Sequence, residues 1–217
     1  MMIPRMRSAN VRNNMKKGLL LVISGPSGSG KGTIIKRLME LDRSFVYSVS
    51  ATTRAPRVGE RDGVNYYFIS RENFEERIAA GMMLEHAEYC GNYYGTPKKE
   101  VYENLDKGCN VILEIEVAGA MQIKKKCPDA LLIMVAPPDF ETLEARLRGR
   151  GDNVSEDVIK ARLETAKKEL SKLSEYDYIV INGDNDVDGA VHDIFGIVEA
   201  EKHHTCRNSE FVSKFFD

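Results

Sequence analysis

A glycine-rich stretch near the amino end of the chain has the residue types and spacing of a phosphate-binding loop. Glycines let backbone N–H groups wrap around a phosphate without a Cβ in the way, and the amino end of a following helix adds partial positive charge. The lysine within such a loop reaches the β- and γ-phosphoryl oxygens of a nucleotide. The stretch therefore predicts a triphosphate site, and its residues are Gly25, Pro26, Ser27, Gly28, Ser29, Gly30, Lys31, Gly32 and Thr33.

The end of this loop departs from the strict motif, in which a serine or threonine directly follows the lysine. Here Gly32 follows Lys31, and the hydroxyl comes one place later at Thr33. Because the usual metal-binding hydroxyl is missing, we assign no protein ligand to Mg²⁺ and expect phosphates and water to hold it. The same Gly-Lys-Gly-Thr order occurs in adenylate kinases, so the variant is similar to nucleoside monophosphate kinases.

The elements around the loop alternate between buried strands and amphipathic helices. In the first helix Ile34, Ile35, Leu38 and Leu41 share one face. This alternation is typical of an α/β fold with a central parallel sheet flanked by helices. The predicted strands cover residues 19–24, 111–117, 131–135 and 178–181, and the predicted helices cover about 30–41, 118–126, 139–149, 155–173 and 186–201.

Two segments interrupt this alternation. Residues 49–99 hold a turn rich in glycine and arginine, short aromatic strand-like pieces and a helix near 72–80, which predicts an inserted α+β lobe. Residues 140–171 are helical and rich in arginine, which predicts a mobile lid. The predicted core comprises 18–48, 100–139 and 172–202, with an N-terminal tail at 1–17 and a C-terminal tail at 203–217.

Several separated motifs resemble those of guanylate kinases and occur in the same order. They are the phosphate loop, Ser-Val-Ser-Ala-Thr-Thr-Arg-Ala-Pro-Arg-Val-Gly-Glu at 48–60, Asn-Tyr-Tyr-Phe at 65–68, Glu-His-Ala-Glu-Tyr-Cys-Gly-Asn-Tyr-Tyr-Gly-Thr at 85–96, and Leu-Glu-Ile-Glu-Val-Ala-Gly at 113–119. The resemblance covers about residues 18 to 202. It implies a cytoplasmic P-loop kinase that uses Mg²⁺ and transfers the γ-phosphoryl of ATP to GMP, and also to dGMP, by in-line transfer with lid closure.

The chemistry of the lobe residues fits an acceptor such as GMP. Arg54 and Arg57 lie in one turn, and their guanidinium forks suit a dianionic phosphate. Guanine presents N1–H and an exocyclic amine as adjacent donors, and the Glu85 carboxylate can accept both. The resemblance assigns the other GMP contacts to Ser50, Tyr66, Tyr94, Thr96 and Glu116. The alternative for the two tyrosines is a place in the core as packed aromatics.

Cationic side chains of the lid are the remaining candidates for catalysis. Arg146 and Arg150 are four apart and share a helical face, whereas Arg148 points away and is expected to be solvated. The resemblance gives a catalytic role to Arg146 and Arg150, together with Arg162, Lys31 and Arg54. It also implies a contact between Asn182 and the adenine of the donor.

Two acids are predicted to end one strand beside the phosphate loop. Glu114 and Glu116 are two apart, which would place them on one face of that strand. Carboxylates there suit a magnesium-bound water or a nucleotide contact. The alternative is a pair of structural ion-pair partners.

The composition limits the other partners. The net charge is −2, which gives no general electrostatic case for a nucleic-acid or membrane partner. The longest apolar run near the start is too short for a membrane span. The four cysteines form no CxxC pair, which favours reduced thiols in a cytosolic protein. The basic stretch at 1–17 is compatible with a transit peptide, with a disordered tail, or with a domain whose translation starts near Met15. A homo-oligomer is also compatible with the sequence.

Two other functions compete with a guanylate kinase. Guanylate-kinase-like scaffold domains keep much of the acceptor lobe but bind phosphopeptides, and they generally lack the loop lysine that stands here at Lys31. Another P-loop phosphotransferase, of the adenylate or thymidylate type, would not need Glu85, Ser50 and Thr96. The sequence therefore favours a guanylate kinase over both.

Overall fold

A computed structural model describes residues 17–149, 155–184, 186–208 and 213 of this chain. The strands are β1 (Leu20–Ser24), β2 (Phe45–Tyr47), β3 (Ala51–Thr52), β4 (Tyr67–Phe68), β5 (Met83–Tyr89), β6 (Asn92–Pro97), β7 (Asn110–Glu114), β8 (Leu131–Ala136) and β9 (Tyr178–Ile181). The helices are α1 (Lys31–Leu41), α2 (Arg71–Ala79), α3 (Lys98–Asp106), α4 (Val117–Lys126), α5 (Phe140–Arg148), α6 (Glu156–Leu170) and α7 (Val187–Lys202).

A five-stranded parallel sheet forms the centre of the fold. Its order is β2-β7-β1-β8-β9, and each neighbouring pair runs parallel. The central strand β1 is buried along its whole length and leads directly into the phosphate loop. The carboxyl ends of the parallel strands therefore meet at the edge where the loop lies, which is where ligands bind in open α/β sheets.

Helices cover both faces of this sheet and enclose two apolar clusters. Ile34, Ile35 and Leu38 of α1 pack with residues of α7, such as Ile194, against one face. On the other face, Ile123 of α4 joins a cluster with residues of α3 and of the sheet. The expected α/β fold, with a parallel sheet flanked by helices, is therefore confirmed.

A second, four-stranded sheet is built from the segment that interrupts the alternation. Its order is β4-β3-β6-β5, and both parallel and antiparallel pairs occur in it. Phe74 of α2 is fully buried and stacks on Tyr93 with the ring centroids 5.2 Å apart. This lobe thus has a small apolar core of its own, with Ala51 and Met83 as the other buried members.

Three details of the sequence interpretation are wrong. The strand predicted over 111–117 ends at Glu114, and Glu116 is instead the N-cap residue of α4. The two acids therefore do not share a strand face. Leu41 was grouped on one helix face with Ile34, Ile35 and Leu38, but it is 52% exposed whereas those three are buried, because it is the last residue of α1. Strand β2, of three residues, and helix α3, of nine, were not predicted.

The beginning of the segment predicted as a C-terminal tail is packed against the core. A 3₁₀-helix covers Thr205–Asn208. Arg207 donates from Nε to the Glu201 carboxylate at 3.0 Å and from Nη2 to the Asp129 carbonyl at 2.8 Å. No helix within the described ranges is long and apolar enough to cross a membrane.

Candidate active site

At several positions of the phosphate loop, the backbone has a conformation that only glycine adopts readily. Gly25, Gly28 and Gly30 have φ angles of 149°, 94° and 88°. A Cβ at Gly25 would lie 2.1 Å from the Val135 carbonyl oxygen of β8. The loop is therefore packed against the carboxyl end of the neighbouring strand.

Lys31 is the first residue of α1 and is half-buried. Its Nζ donates to the carbonyl oxygens of Gly25 at 2.5 Å and Pro26 at 3.2 Å. The ammonium thus lies directly above the loop, where phosphate oxygens would be bound. Thr33 is exposed one place further into the helix, and a Cβ at Gly32 would meet open space.

Asn182 supports the phosphate loop through a hydrogen bond from its side chain. It follows β9 and is only 5% exposed, and its Nδ2 donates to the Ser29 carbonyl at 2.8 Å. A Cβ at Gly30 would lie 2.2 Å from that Nδ2. Its Oδ1 is buried and has no hydrogen-bond partner among the described residues. The expected adenine contact stays a prediction, and the structure adds a supporting contact that sequence reasoning missed.

Helix α5 of the predicted lid lies next to the loop. A Cβ at Gly28 would meet the Leu143 and Leu147 side chains at 3.1 and 3.3 Å. Arg146 donates from Nη2 to the carbonyl oxygens of Asn182 and Gly183, both at 3.0 Å. Its Nη1 is buried without a hydrogen-bond partner in the part of the chain that is described. Arg146 is therefore anchored beside the loop by Nη2, and its Nη1 is enclosed by protein.

The other lid arginines have different positions. Arg162 is half-buried on α6, whereas Arg150 lies outside the described residues. Arg148 is exposed, as expected, and it also pairs with Glu144 of its own helix at 2.7 Å and with Glu156 at the start of α6. Arg148 therefore links the two lid helices.

In the inserted lobe, where the acceptor phosphate is expected to bind, an arginine lies close to two tyrosine side chains. Arg54 lies with its guanidinium carbon 5.5 Å from the centre of the Tyr66 ring, and that ring meets Tyr94 edge-on at 6.0 Å. Glu60 accepts from both terminal nitrogens of Arg54 at 3.0 Å. It also accepts from the backbone N–H of Arg57 at 2.7 Å, while the Arg57 side chain is exposed.

Glu60 is a candidate site residue, which the sequence interpretation included in the motif at 48–60 but gave no role. The Arg54 guanidinium holds the pKa of the Glu60 carboxyl below its usual range. The carboxylate therefore stays charged and orients Arg54. The sequence feature that could have indicated a role for Glu60 is its position as an acid within the arginine-rich turn.

Glu85 and Thr96 lie together inside the lobe. Glu85 is 4% exposed, and its Oε1 accepts from the Thr96 hydroxyl at 2.7 Å. A Cβ at Gly119 of α4 would lie 2.8 Å from the other oxygen. Burial raises the pKa of Glu85, and the hydrogen bond from Thr96 opposes that rise. Ser50 is half-buried just before β3.

Acidic groups stand at the carboxyl edge of the sheet near the loop. Glu114 is half-buried at the end of β7, in register with Ile23 of β1, whereas Glu116 is exposed. Burial raises the pKa of Glu169 on α6, and the charge of Lys31 opposes that rise. Sequence reasoning missed Glu169, because nothing in the pattern of α6 distinguishes it from a solvated helix residue.

The position of Glu114 bears on a metal ion. Mg²⁺ prefers oxygen ligands and usually keeps several waters, so one carboxylate beside bound phosphates fits its chemistry. No group of three or more histidine, cysteine or acidic side chains that could hold a metal occurs within the described ranges. The donor set thus fits an ion held mainly by phosphates and water.

Comparisons with known proteins agree with this geometry. The family model described as Guanylate kinase matches residues 17–201. Guanylate kinases of Streptococcus thermophilus and Lactococcus lactis are 54% and 52% identical to this chain, over 86% and 88% of it and 88% and 92% of their own lengths. A crystal structure of guanylate kinase from Anaplasma phagocytophilum superimposes with a TM-score of 0.71 at 36% identity, covering 88% of this chain and 90% of that one. This chain therefore belongs to the guanylate kinase family of kinases.

Proposed function

We propose that this protein transfers the γ-phosphoryl of ATP to GMP, giving ADP and GDP. The observation that carries the proposal is the buried Glu85 carboxylate, held by Thr96, in the same chain as a phosphate loop with its lysine. A phosphate loop alone indicates only a nucleotide. The buried carboxylate adds a site whose chemistry selects the acceptor base.

Guanine fits this carboxylate better than adenine does. The N1–H and the exocyclic amine of guanine are adjacent donors that Glu85 can accept, and the Ser50 hydroxyl can donate to O6. The Thr96 hydroxyl has one hydrogen, which it donates to Glu85, so it would donate to O6 only by turning away from that carboxylate. Adenine has an acceptor at N1, which would leave a buried carboxylate mispaired. We extend the proposal to dGMP, because none of the assigned side chains is expected to contact the ribose 2′-hydroxyl.

The GMP phosphate would bind among Arg54, Arg57, Tyr66 and Tyr94. Glu60 orients the Arg54 guanidinium, which still presents N–H donors from a rigid plane. The exposed Arg57 side chain can turn toward the dianion without losing a buried contact. Glu116, at the start of α4, would contact the nucleotide from the core side.

The reaction needs no general base, because a phosphomonoester oxygen is already largely ionised at neutral pH, with a second pKa of about 6. Lys31, Arg146, Arg150 and Arg162 would neutralise charge on the phosphoryl group in flight, and in-line attack requires that both nucleotides be aligned. Glu114 would hold Mg²⁺ through water, and the ion supplies further charge neutralisation at the phosphates. Asn182 would place the adenine of ATP.

Closure of two mobile parts would complete the site. The lobe of residues 49–99 would bring GMP toward the phosphate loop, and the lid of residues 140–171 would bring Arg150 and Arg162 to the transferred group, beside Arg146. Closure excludes water, which would otherwise accept the phosphoryl and waste ATP. The core of 18–48, 100–139 and 172–202 would stay rigid. We place this reaction in the cytoplasm.

An assay for ADP with a panel of nucleoside monophosphates tests the proposal. With ATP and Mg²⁺, GMP and dGMP should support rapid ADP release, and AMP, CMP and TMP should not. A preference for AMP or TMP would identify another P-loop phosphotransferase. Absence of ADP release with every monophosphate, in protein that still binds a phosphopeptide, would identify a scaffold module instead.

A further inference from the structure

Two polar side chains of α4 reach the strand that carries Glu85. The Gln122 amide makes two hydrogen bonds with the backbone of His86, donating from Nε2 to its oxygen at 2.9 Å and accepting from its nitrogen at 3.3 Å. Lys126 donates from Nζ to the Leu84 carbonyl at 2.7 Å. The backbone on both sides of Glu85 is therefore tied to one helix of the core.

The strand is irregular at this place. Met83 pairs with Pro97, but the next pair is His86 with Gly95. Two residues, Leu84 and Glu85, thus lie opposite Thr96 alone, which is the pattern of a β-bulge. A bulge redirects a side chain and interrupts the ladder of hydrogen bonds, so backbone groups on either side of it need other partners.

Helix α4 supplies those partners from one face. Gln122 and Lys126 are four apart, and Gly119 lies three residues before Gln122, so the three positions follow each other along the same side of the helix. Gly119 leaves room for the carboxylate, because a Cβ there would lie 2.8 Å from Oε2 of Glu85. The helix thus contacts the Glu85 side chain at one position and its flanking backbone at two others.

We propose that Gln122 and Lys126, named here the α4 clamp, are positioning residues that set the selectivity for guanine by holding the bulge at Glu85. The clamp touches neither nucleotide and acts through the placement of the carboxylate, and the Lys126 charge also lowers the pKa of Glu85. This inference rests on the proposed function, and it adds residues of the core helix to a selectivity site otherwise built within the lobe.

The preference for GMP over IMP measures this placement directly. IMP keeps N1–H and O6 but lacks the exocyclic amine, so it offers Glu85 one donor where GMP offers two. A displaced carboxylate loses the second contact first, and the ratio of the kcat/KM values for GMP and IMP then falls. A general loss of folding would lower both values together and leave the ratio unchanged.

The experiment compares Gln122→Leu, Lys126→Met and the double variant with the wild type. The GMP-to-IMP ratio should fall about threefold to tenfold in each single variant and further in the double variant, on the scale of one or two hydrogen bonds. The KM for ATP should stay within about twofold of the wild-type value, because ATP is expected to bind at the phosphate loop rather than beside Glu85. Melting temperatures should fall by a few degrees only.

Two controls are matched to the clamp. Lys125→Met removes an exposed lysine of the same helix, and Lys126→Arg keeps a cationic donor for the Leu84 carbonyl, so both should retain the wild-type ratio. If the double variant does not fold, the GMP-to-IMP ratios of the two single variants test the clamp. A wild-type ratio in both single variants would overturn the clamp, whereas a wild-type protein inactive with GMP would overturn the proposed function itself.

Discussion

The Thr96 hydroxyl donates to Oε1 of Glu85 at 2.7 Å, and both side chains are almost completely buried. Thr96 is the single residue on one strand of the β-bulge, and Glu85 is the second of the two residues opposite it on the other strand. The hydrogen bond leaves Oε2 against Gly119. The carboxylate therefore has a fixed orientation before any ligand arrives, which reduces the entropy lost when a base binds.

Glu85→Gln should impair the use of GMP selectively. The substitution keeps the size and one acceptor but places an NH₂ donor against a guanine N–H. The loss of a charge-assisted hydrogen bond, about 1.5–3 kcal/mol, with an added mispaired group predicts a fall of roughly 10- to 10³-fold in kcat/KM for GMP. Steady-state kinetics with GMP, AMP and ATP varied in turn measure this, and discrimination against AMP should narrow. An ATP KM that shifts as much as the GMP KM would contradict the role of Glu85.

The activity with GMP should fall on acidification at a higher pH than an ordinary glutamate would cause. Burial raises the pKa of Glu85, and only the ionised form accepts both guanine donors. Since protonation removes the acceptor, kcat/KM for GMP is high above this raised pKa and is lost as the pH falls through it. The Thr96 hydrogen bond opposes the rise, so Thr96→Val should move the acid limb to still higher pH. A pH profile of Thr96→Val that coincides with the wild-type profile would contradict this coupling.

Lys31→Met should remove most phosphoryl transfer without loss of the fold. The ammonium lies over the phosphate loop, bonded to Gly25 and Pro26, rather than in the apolar core. Removal of one preorganised cationic donor predicts a loss of roughly 10²-fold or more in kcat. Circular dichroism and melting should match the wild type, and Lys36→Met, at an exposed position on the same helix, is the control. Near-normal turnover in folded Lys31→Met would rule out the assignment of the loop.

Asn182→Leu should weaken both the fold and the binding of ATP. The substitution leaves the Ser29 carbonyl without its buried donor, which predicts a loss of about 1–3 kcal/mol in the free energy of unfolding. Because Ser29 belongs to the phosphate loop, the KM for ATP should rise by about tenfold, and the KM for GMP should change little. Urea unfolding and steady-state kinetics measure the two effects. Unchanged stability would show that the loop does not depend on Asn182.

Short-range patterns in the sequence were sufficient for several features. The glycines around Lys31 predict a loop conformation that other residues cannot adopt, and the alternation of apolar strands with amphipathic helices predicts the parallel sheet. These features depend on backbone sterics and on burial of apolar side chains, both of which can be read from neighbouring residues. The motifs around Arg54 and Glu85 likewise indicate the family from residue types and spacing alone.

Tertiary structure alone decided how these parts meet. The contacts of Asn182 with Ser29, of Arg148 with Glu156 and of Gln122 with His86 join segments that are 153, 8 and 36 residues apart. The position of Glu116 on α4 rather than on β7 also depended on where the sheet ladder stops. A polar side chain that bridges two elements has no periodicity of its own, and the partners of Asn182 and Gln122 are backbone groups of no particular residue type. The bulge at Glu85 followed from the pairing of two strands, and no local pattern records such a pairing.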